Sequence, residues 1–150
     1  MTTTTTPAID IRRDVPDAYR ALAALTRATP DIDHDLAEIV KVRASQLNGC
    51  AYCVDLHCGL ARKAGVSERA LFALAVWREA PFFTPQERAA LALTDALTLL
   101  PSGPVSDDVY AEAAEHFTGP ALGQLVVVIT AINAWNRVML ASGTQPADIN

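Results

Sequence analysis

Cysteine is scarce and confined in this chain: there are three, Cys50, Cys53 and Cys58, all within nine residues. That argues against a secreted disulfide scaffold, in which spaced cysteines staple distant loops, and makes the cytoplasm the expected compartment. Basic residues are also in short supply. Lys and Arg number 12 against 17 Asp and Glu, a formal charge of −5, and the cations are scattered without forming a stripe. No nucleic-acid partner is expected from such a surface. Residues 1–7 are a threonine-rich run with neither a basic segment nor an apolar stretch, so the parts of a secretory signal are missing. No membrane partner is expected either. The most apolar segment, 122–140, is interrupted by Gln124, Asn133, Asn136 and Arg137, short of about 20 clean apolar residues, and reads as a buried helix. Alternating β-branched runs, the mark of half-buried strands, are nearly absent.

What remains is helix signal from end to end. With 150 residues and 51% hydrophobic content, the chain suits one domain with a substantial core. The expected organisation is an N-terminal tail at 1–13, an all-α single-domain bundle of about six to seven helices at 14–143, and a C-terminal tail at 144–150. Asp14 and Pro16 are expected to open a first helix that ends near Ala28, before Pro30. Acidic residues at 33–35 start a second, which carries Leu36, Glu38, Ile39, Val40, Arg43 and Leu47. Asn48-Gly49 is a turn dipeptide, so the chain restarts at Cys50 with a third helix to Ala64, capped by Gly65. Ser67 caps a fourth through Trp77. Thr84-Pro85-Gln86-Glu87 combines a capping hydroxyl, a first-turn proline and a third-position glutamate, and predicts a helix to about Leu100. Ser106 opens another to about Phe117. The last runs from Gly119-Pro120 to about Ala141, where Val126 to Ile129 alone could be a strand but the spacing of Leu122, Leu125, Ile132, Trp135 and Met139 is helical.

Cys50 and Cys53 form a C-x-x-C pair. Such a pair can close a small disulfide, and at a helix start unpaired N–H groups and the dipole stabilise a thiolate by about 0.3–1 kcal/mol. At 100° per residue, Cys50, Cys53 and His57 fall within roughly 60° of one another on a helix. His57 can therefore accept the Cys53 proton or stabilise its thiolate. Thiol redox chemistry is the favoured reading. Zinc binding is the main alternative, because these three residues are competent ligands. Against it, Cys58 points roughly 140° away from Cys53, and no second C-x-x-C or H-x-x-x-H completes a tetrahedral set. Cysteines that merely pack are a third possibility, and Cys58 itself is best read as a small packed residue without a role. His34 and His116 have no cysteine or carboxylate pattern around them. Trp77, Phe82, Phe83 and Trp135 read as core or interface aromatics.

By local pattern Glu38 is an ordinary surface glutamate. Taken with Cys50, Cys53 and His57, however, it resembles the E-x11-C-x2-C-x3-H signature of the alkylhydroperoxidase D (AhpD)-like proteins of the carboxymuconolactone decarboxylase superfamily. The stretches 41–50, 77–83 (Trp-Arg-Glu-Ala-Pro-Phe-Phe) and 131–137 (Ala-Ile-Asn-Ala-Trp-Asn-Arg) also resemble one small, single-domain branch of that family. The resemblance implies a thiol-dependent peroxidase. In it Glu38 serves His57, His57 deprotonates Cys53, Cys53 meets the hydroperoxide and Cys50 resolves the product as a disulfide. It further implies a lipoyl-bearing or thioredoxin-like thiol electron donor, assembly as a homo-oligomer such as a trimer or hexamer, and no cofactor or metal. Tyr52 stands between the cysteines where some peroxidase-active relatives carry histidine, so a second imidazole is missing. A lyase of the superfamily's other branch lacks the cysteine pair. A non-enzymatic redox sensor or disulfide-exchange module is the remaining alternative.

Treating the reduced protein with one equivalent of hydroperoxide should render Cys50 and Cys53 resistant to alkylation and join them in one peptide by mass. Cys58 should stay alkylatable. Two alkylatable thiols after peroxide, or stoichiometric zinc in the purified protein, would contradict the redox reading.

Overall fold

The computed structural model of the chain describes residues 9–147, among which every regular element is helical. Eight α-helices follow one another: α1 (Ile11–Asp14), α2 (Pro16–Arg27), α3 (His34–Asn48), α4 (Ala51–Lys63), α5 (Glu68–Ala73), α6 (Pro85–Thr98), α7 (Asp107–His116) and α8 (Ala121–Ala141). All seven helices expected from the sequence are present, α1 being additional. Local chemistry explains the clearest boundaries. At α6, Thr84 Oγ1 accepts from the Glu87 amide at 3.2 Å while Glu87 Oε2 accepts from the Thr84 amide at 2.7 Å, a reciprocal cap with Pro85 in the first turn. Ser67 caps α5 in one direction only, its Oγ accepting from the Ala70 amide at 3.2 Å. The β-branched run 126–129 is helical, within α8.

Three boundaries differ from expectation. Asp14 closes α1 instead of opening α2, and Asp10 caps α1 by accepting from the amides of Arg12 and Arg13. Helical structure thus begins at Ile11, inside the expected tail 1–13; residues 1–8 and 148–150 lie outside the described residues. The fourth expected helix stops at Ala73 and tightens into a 3-10 turn over Leu74–Val76. Cys50 is the N-cap of α4 rather than a residue of its first turn.

Helix α3 occupies the middle of the bundle. Its Leu36 and Val40 face a core with Leu93, Phe117, Leu125 and Ile129, while Ile39 and Val42 face a second core with Leu71, Leu74, Trp77 and Leu91. Packing on both sides explains why a helix with charged residues at four of its positions still buries Val40, Val42 and Ala44 completely. Against it lie α4, α6 and α8. By length and composition α8 could cross a membrane, with a mean hydropathy of 1.3 over its most apolar window. Here it packs on α2, α3, α4 and α6 and buries Leu125, Val128, Ile129 and Ile132.

Two polar clusters tie the helices together. Asp95 of α6 accepts from Arg43 of α3 through Nε at 2.7 Å and Nη2 at 3.1 Å, from Arg78 at 2.6 Å and from the Trp77 indole at 3.2 Å. Burial opposes ionisation of Asp95, but hydrogen bonds from Arg43 and Arg78, the charge of Arg43 and the Trp77 bond outweigh it and hold the carboxyl below its usual range. Arg88 donates to the carbonyls of Trp77, Arg78 and Ala80, closing the turn that follows α5. The second cluster holds the end of α3: Asn48 Nδ2 donates to Asn133 and Asn136 of α8 at 2.9 and 2.8 Å, and Asn136 donates to Ser45 at 2.9 Å. Removing one partner of a buried ion pair strands the other. Asp95→Ala should therefore lower the unfolding free energy in urea by about 3–5 kcal/mol, whereas Arg78→Ala, at the exposed edge of the cluster, should cost about 1 kcal/mol or less. Equal, small effects would show that the cluster does not hold α3 to α6.

Candidate functional site

The site begins with a turn. Helix α3 ends at Asn48, and Gly49 takes the left-handed conformation (φ 69°), which lets the Cys50 amide donate back to the Ser45 carbonyl at 3.0 Å. A side chain at position 49 would strain that conformation. Because Asn48 is anchored to α8, the turn delivers Cys50 to a fixed place at the head of α4. The Cα atoms of Cys50 and Cys53 are 5.4 Å apart and the two sulfurs are at bonding distance. Both residues are almost fully buried. Cys50 Sγ also accepts from the Cys53 amide at 3.4 Å, so this sulfur sits at the positive end of α4 and caps it.

One turn further along α4 stands His57. Its Nδ1 is 2.7 Å from Oε2 of Glu38, which lies on the adjoining helix α3 and is only 2% exposed. The other carboxylate oxygen, Oε1, accepts from Lys41 Nζ at 2.7 Å. Burial raises the tendency of Glu38 to take a proton, but bonds from His57 and Lys41 and the charge of Lys41 together reverse it and hold the carboxyl below the usual glutamate range. An ionised acceptor at Nδ1 selects the neutral imidazole tautomer with its proton on Nδ1, leaving Nε2 as the basic nitrogen.

A cavity of about 180 Å3 opens over this arrangement, and Cys53 and His57 line it. Its remaining walls are Tyr52 and Leu56 of α4, Tyr19 of α2, and Trp135 and Met139 of α8. The Tyr19 and Trp135 rings meet edge to face at 5.3 Å, and the Trp135 indole donates to Thr26 Oγ1 at 2.8 Å, fixing α2 on α8.

All four residues singled out from the sequence, Glu38, Cys50, Cys53 and His57, are therefore brought together. Cys58 is half-buried beside the second core, and burial together with nearby Asp55 pushes its thiol pKa up. His34 and His116 lie elsewhere, at the first residue of α3 and the last of α7. Among the described residues no group of three or more His, Cys, Asp or Glu is placed to hold a metal ion. Trp77 and Phe83 are buried core aromatics, while Trp135 lines the cavity. Sequence reasoning missed Lys41 and Tyr19. The first carried a usable signal, since a lysine three residues after a glutamate shares its helix face; the second, far away along the chain, carried none.

The carboxymuconolactone decarboxylase family profile matches residues 13–96. An uncharacterised Bacillus subtilis protein, YdfG, is 41% identical over 134 residues, covering 88% of this chain and 91% of its own. A solved structure from Agrobacterium tumefaciens, of unknown function and named as a candidate antioxidant defence protein AhpD, superposes with a TM-score of 0.90 at 34% identity, over 95% of this chain and 99% of its own. A Ralstonia eutropha peroxidase-related protein with an alkylhydroperoxidase AhpD core shares the fold at 23% identity, with a TM-score of 0.79 over 91% of this chain and 74% of its own.

The Glu38 shift sets a sign for the acid limb of stability. A carboxyl whose folded pKa is depressed stabilises the fold above its unfolded value of about 4.3 and loses that contribution as pH falls through the folded value. Wild-type stability in urea should therefore decline as pH drops below about 4.3, and Glu38→Gln should be less stable at pH 6 with a shallower decline. Parallel curves for the two proteins would mean that Glu38 is not held ionised in the fold.

Proposed function

This chain belongs to the carboxymuconolactone decarboxylase family and is AhpD-like, and on that basis we propose that it is a thiol-dependent hydroperoxide reductase cycling through a Cys50–Cys53 disulfide. The observation that carries the reading is the alignment of a buried, ionised Glu38 behind His57, with His57 and Cys53 facing one cavity. His57 Nε2 takes the Cys53 proton. The resulting thiolate attacks the terminal oxygen of the hydroperoxide, the O–O bond breaks, and sulfur is oxidised by two electrons to a sulfenic acid. The alkoxide leaves with the proton held by His57, as an alcohol. Cys50 then displaces water from the sulfenic acid and forms the disulfide. Overall, two thiols and one hydroperoxide become one disulfide, one alcohol and one water.

Of the two sulfurs it is Cys53 that lines the cavity, which supports its assignment as the peroxide-reactive thiol. Cys50 suits the resolving role for a physical reason. When a donor thiolate attacks the disulfide at Cys53, Cys50 leaves as a thiolate, and the Cys53 amide with the start of α4 stabilises that charge. A dithiol donor, lipoyl-bearing or thioredoxin-like, returns both cysteines to thiols. Tyr52, not a second histidine, borders the cavity between the cysteines, so His57 alone carries the proton. The working unit in this reading is a homo-oligomer, consistent with Phe72 at 80% and Val76 at 61% exposure on one chain.

Cys53→Ser should abolish reaction with hydroperoxide. In Cys50→Ser the reaction should stall at a Cys53 sulfenic acid trappable by dimedone, and His57→Ala should slow its formation by about 100-fold, the usual scale of general-base loss. Sulfenic acid trapped at Cys50 in Cys53→Ser would reverse the two assignments.

A further inference from the structure

A second cavity, of about 340 Å3, adjoins the one over Cys53 and shares two of its walls, Tyr19 and Met139. It is lined beyond them by the N-terminal segment, including Asp10, Ile11 and Arg12, and by Ser142 and Thr144 after α8. Tyr19 is thus a partition. On one side lie Cys53 and the imidazole, on the other a polar-edged chamber nearly twice as large.

The partition is braced. Trp135 packs edge-on against Tyr19 and is itself tied to Thr26 of α2, while the Arg12 guanidinium sits 5.7 Å from the centre of the Tyr19 ring. The chamber over Cys53 and His57 is small, and its other walls are aromatic, aliphatic and thioether. An apolar cavity of about 150 Å3 accommodates benzene, so the 180 Å3 over Cys53 fits one ring and a short substituent. The rings of Tyr19, Tyr52 and Trp135 among its walls favour a flat aromatic guest over a flexible chain, which would lose rotamer freedom on entering.

We propose that Tyr19 is the specificity-determining wall of the site and that the hydroperoxide selected carries a single aromatic ring next to the O–O bond, long-chain hydroperoxides being turned away at the partition. The inference rests on the hydroperoxide reading above and refines its substrate. In the chemical step the ring stays unchanged: the Cys53 thiolate takes the terminal oxygen, and the aryl-substituted alcohol leaves with the proton from His57.

The test compares oxidation rates of the reduced protein by cumene hydroperoxide, hydrogen peroxide and linoleic acid hydroperoxide, each divided by its rate with free cysteine. Wild type should favour cumene hydroperoxide over linoleic acid hydroperoxide by about tenfold or more, the low end of what an apolar pocket discriminates. Tyr19→Ala, which joins the two chambers, should erase or invert that ratio by accelerating the long-chain substrate, and Tyr19→Phe should preserve it. Should Tyr19→Ala fail to fold, Met139→Ala opens the same partition. A ratio near one in wild type, or one unchanged when the partition is opened, would overturn the proposal. A parallel binding arm separates it from the underlying reading: 2-phenyl-2-propanol, which cannot react, should protect Cys53 from iodoacetamide in wild type and Tyr19→Phe but not in Tyr19→Ala. If no hydroperoxide oxidises Cys53, the reductase reading falls while protection still decides the selectivity of the pocket.

Discussion

A carboxylate that is 2% exposed must find cations and donors or give up its charge, and the structure around Glu38 is organised by that constraint. One oxygen is satisfied by Lys41 from the same helix, the other by His57 from the next. The second bond fixes the register of α4 along α3. It also orients the imidazole, because the nitrogen facing Glu38 carries the proton and the other is left basic. A glutamine in its place would keep the shape while losing the negative charge behind the imidazole.

The two cysteines are chemically identical but the fold makes them unequal. Gly49 and the Asn48 anchor on α8 set Cys50 at the N-cap, where backbone donors stabilise negative charge. Cys53, one turn on, faces the cavity and the histidine. The proposed cycle needs a leaving group at the first position and a nucleophile at the second, and each environment suits that task. Rigidity comes from further off: Asp95 of α6 draws Arg43 of α3, Arg78 and Trp77 into one cluster, which ties the Glu38 helix to α6.

Much of this was legible in the sequence where the determinants are local. The Thr84-Pro85-Gln86-Glu87 cap, the Asn48-Gly49 break and the apolar period of the last helix each specify structure within a few residues, and each appears as expected. The short helix α1 has too few residues to show a period and depends on the Asp10 cap. The break at Ala73 is equally silent, since nothing between Ser67 and Trp77 forbids a longer helix. For the site, the C-x-x-C and His57 share a face by simple geometry, but Glu38 looked like a surface residue and stood out only through family resemblance. Pairings such as Asp95 with Arg43, or Tyr19 with Trp135, join residues 52 and 116 positions apart, and no local pattern encodes them.

In the proposed function the Cys50–Cys53 disulfide cycle turns over. The most direct measurement is the amount of alcohol formed per polypeptide when reduced protein is mixed with excess cumene hydroperoxide and excess dihydrolipoamide, with the uncatalysed reaction subtracted. Many equivalents of alcohol should form, matched one for one by donor oxidised, and none above background with Cys53→Ser. A single equivalent followed by arrest, with donor still in excess, would contradict turnover and leave the pair as a sensor that oxidises once.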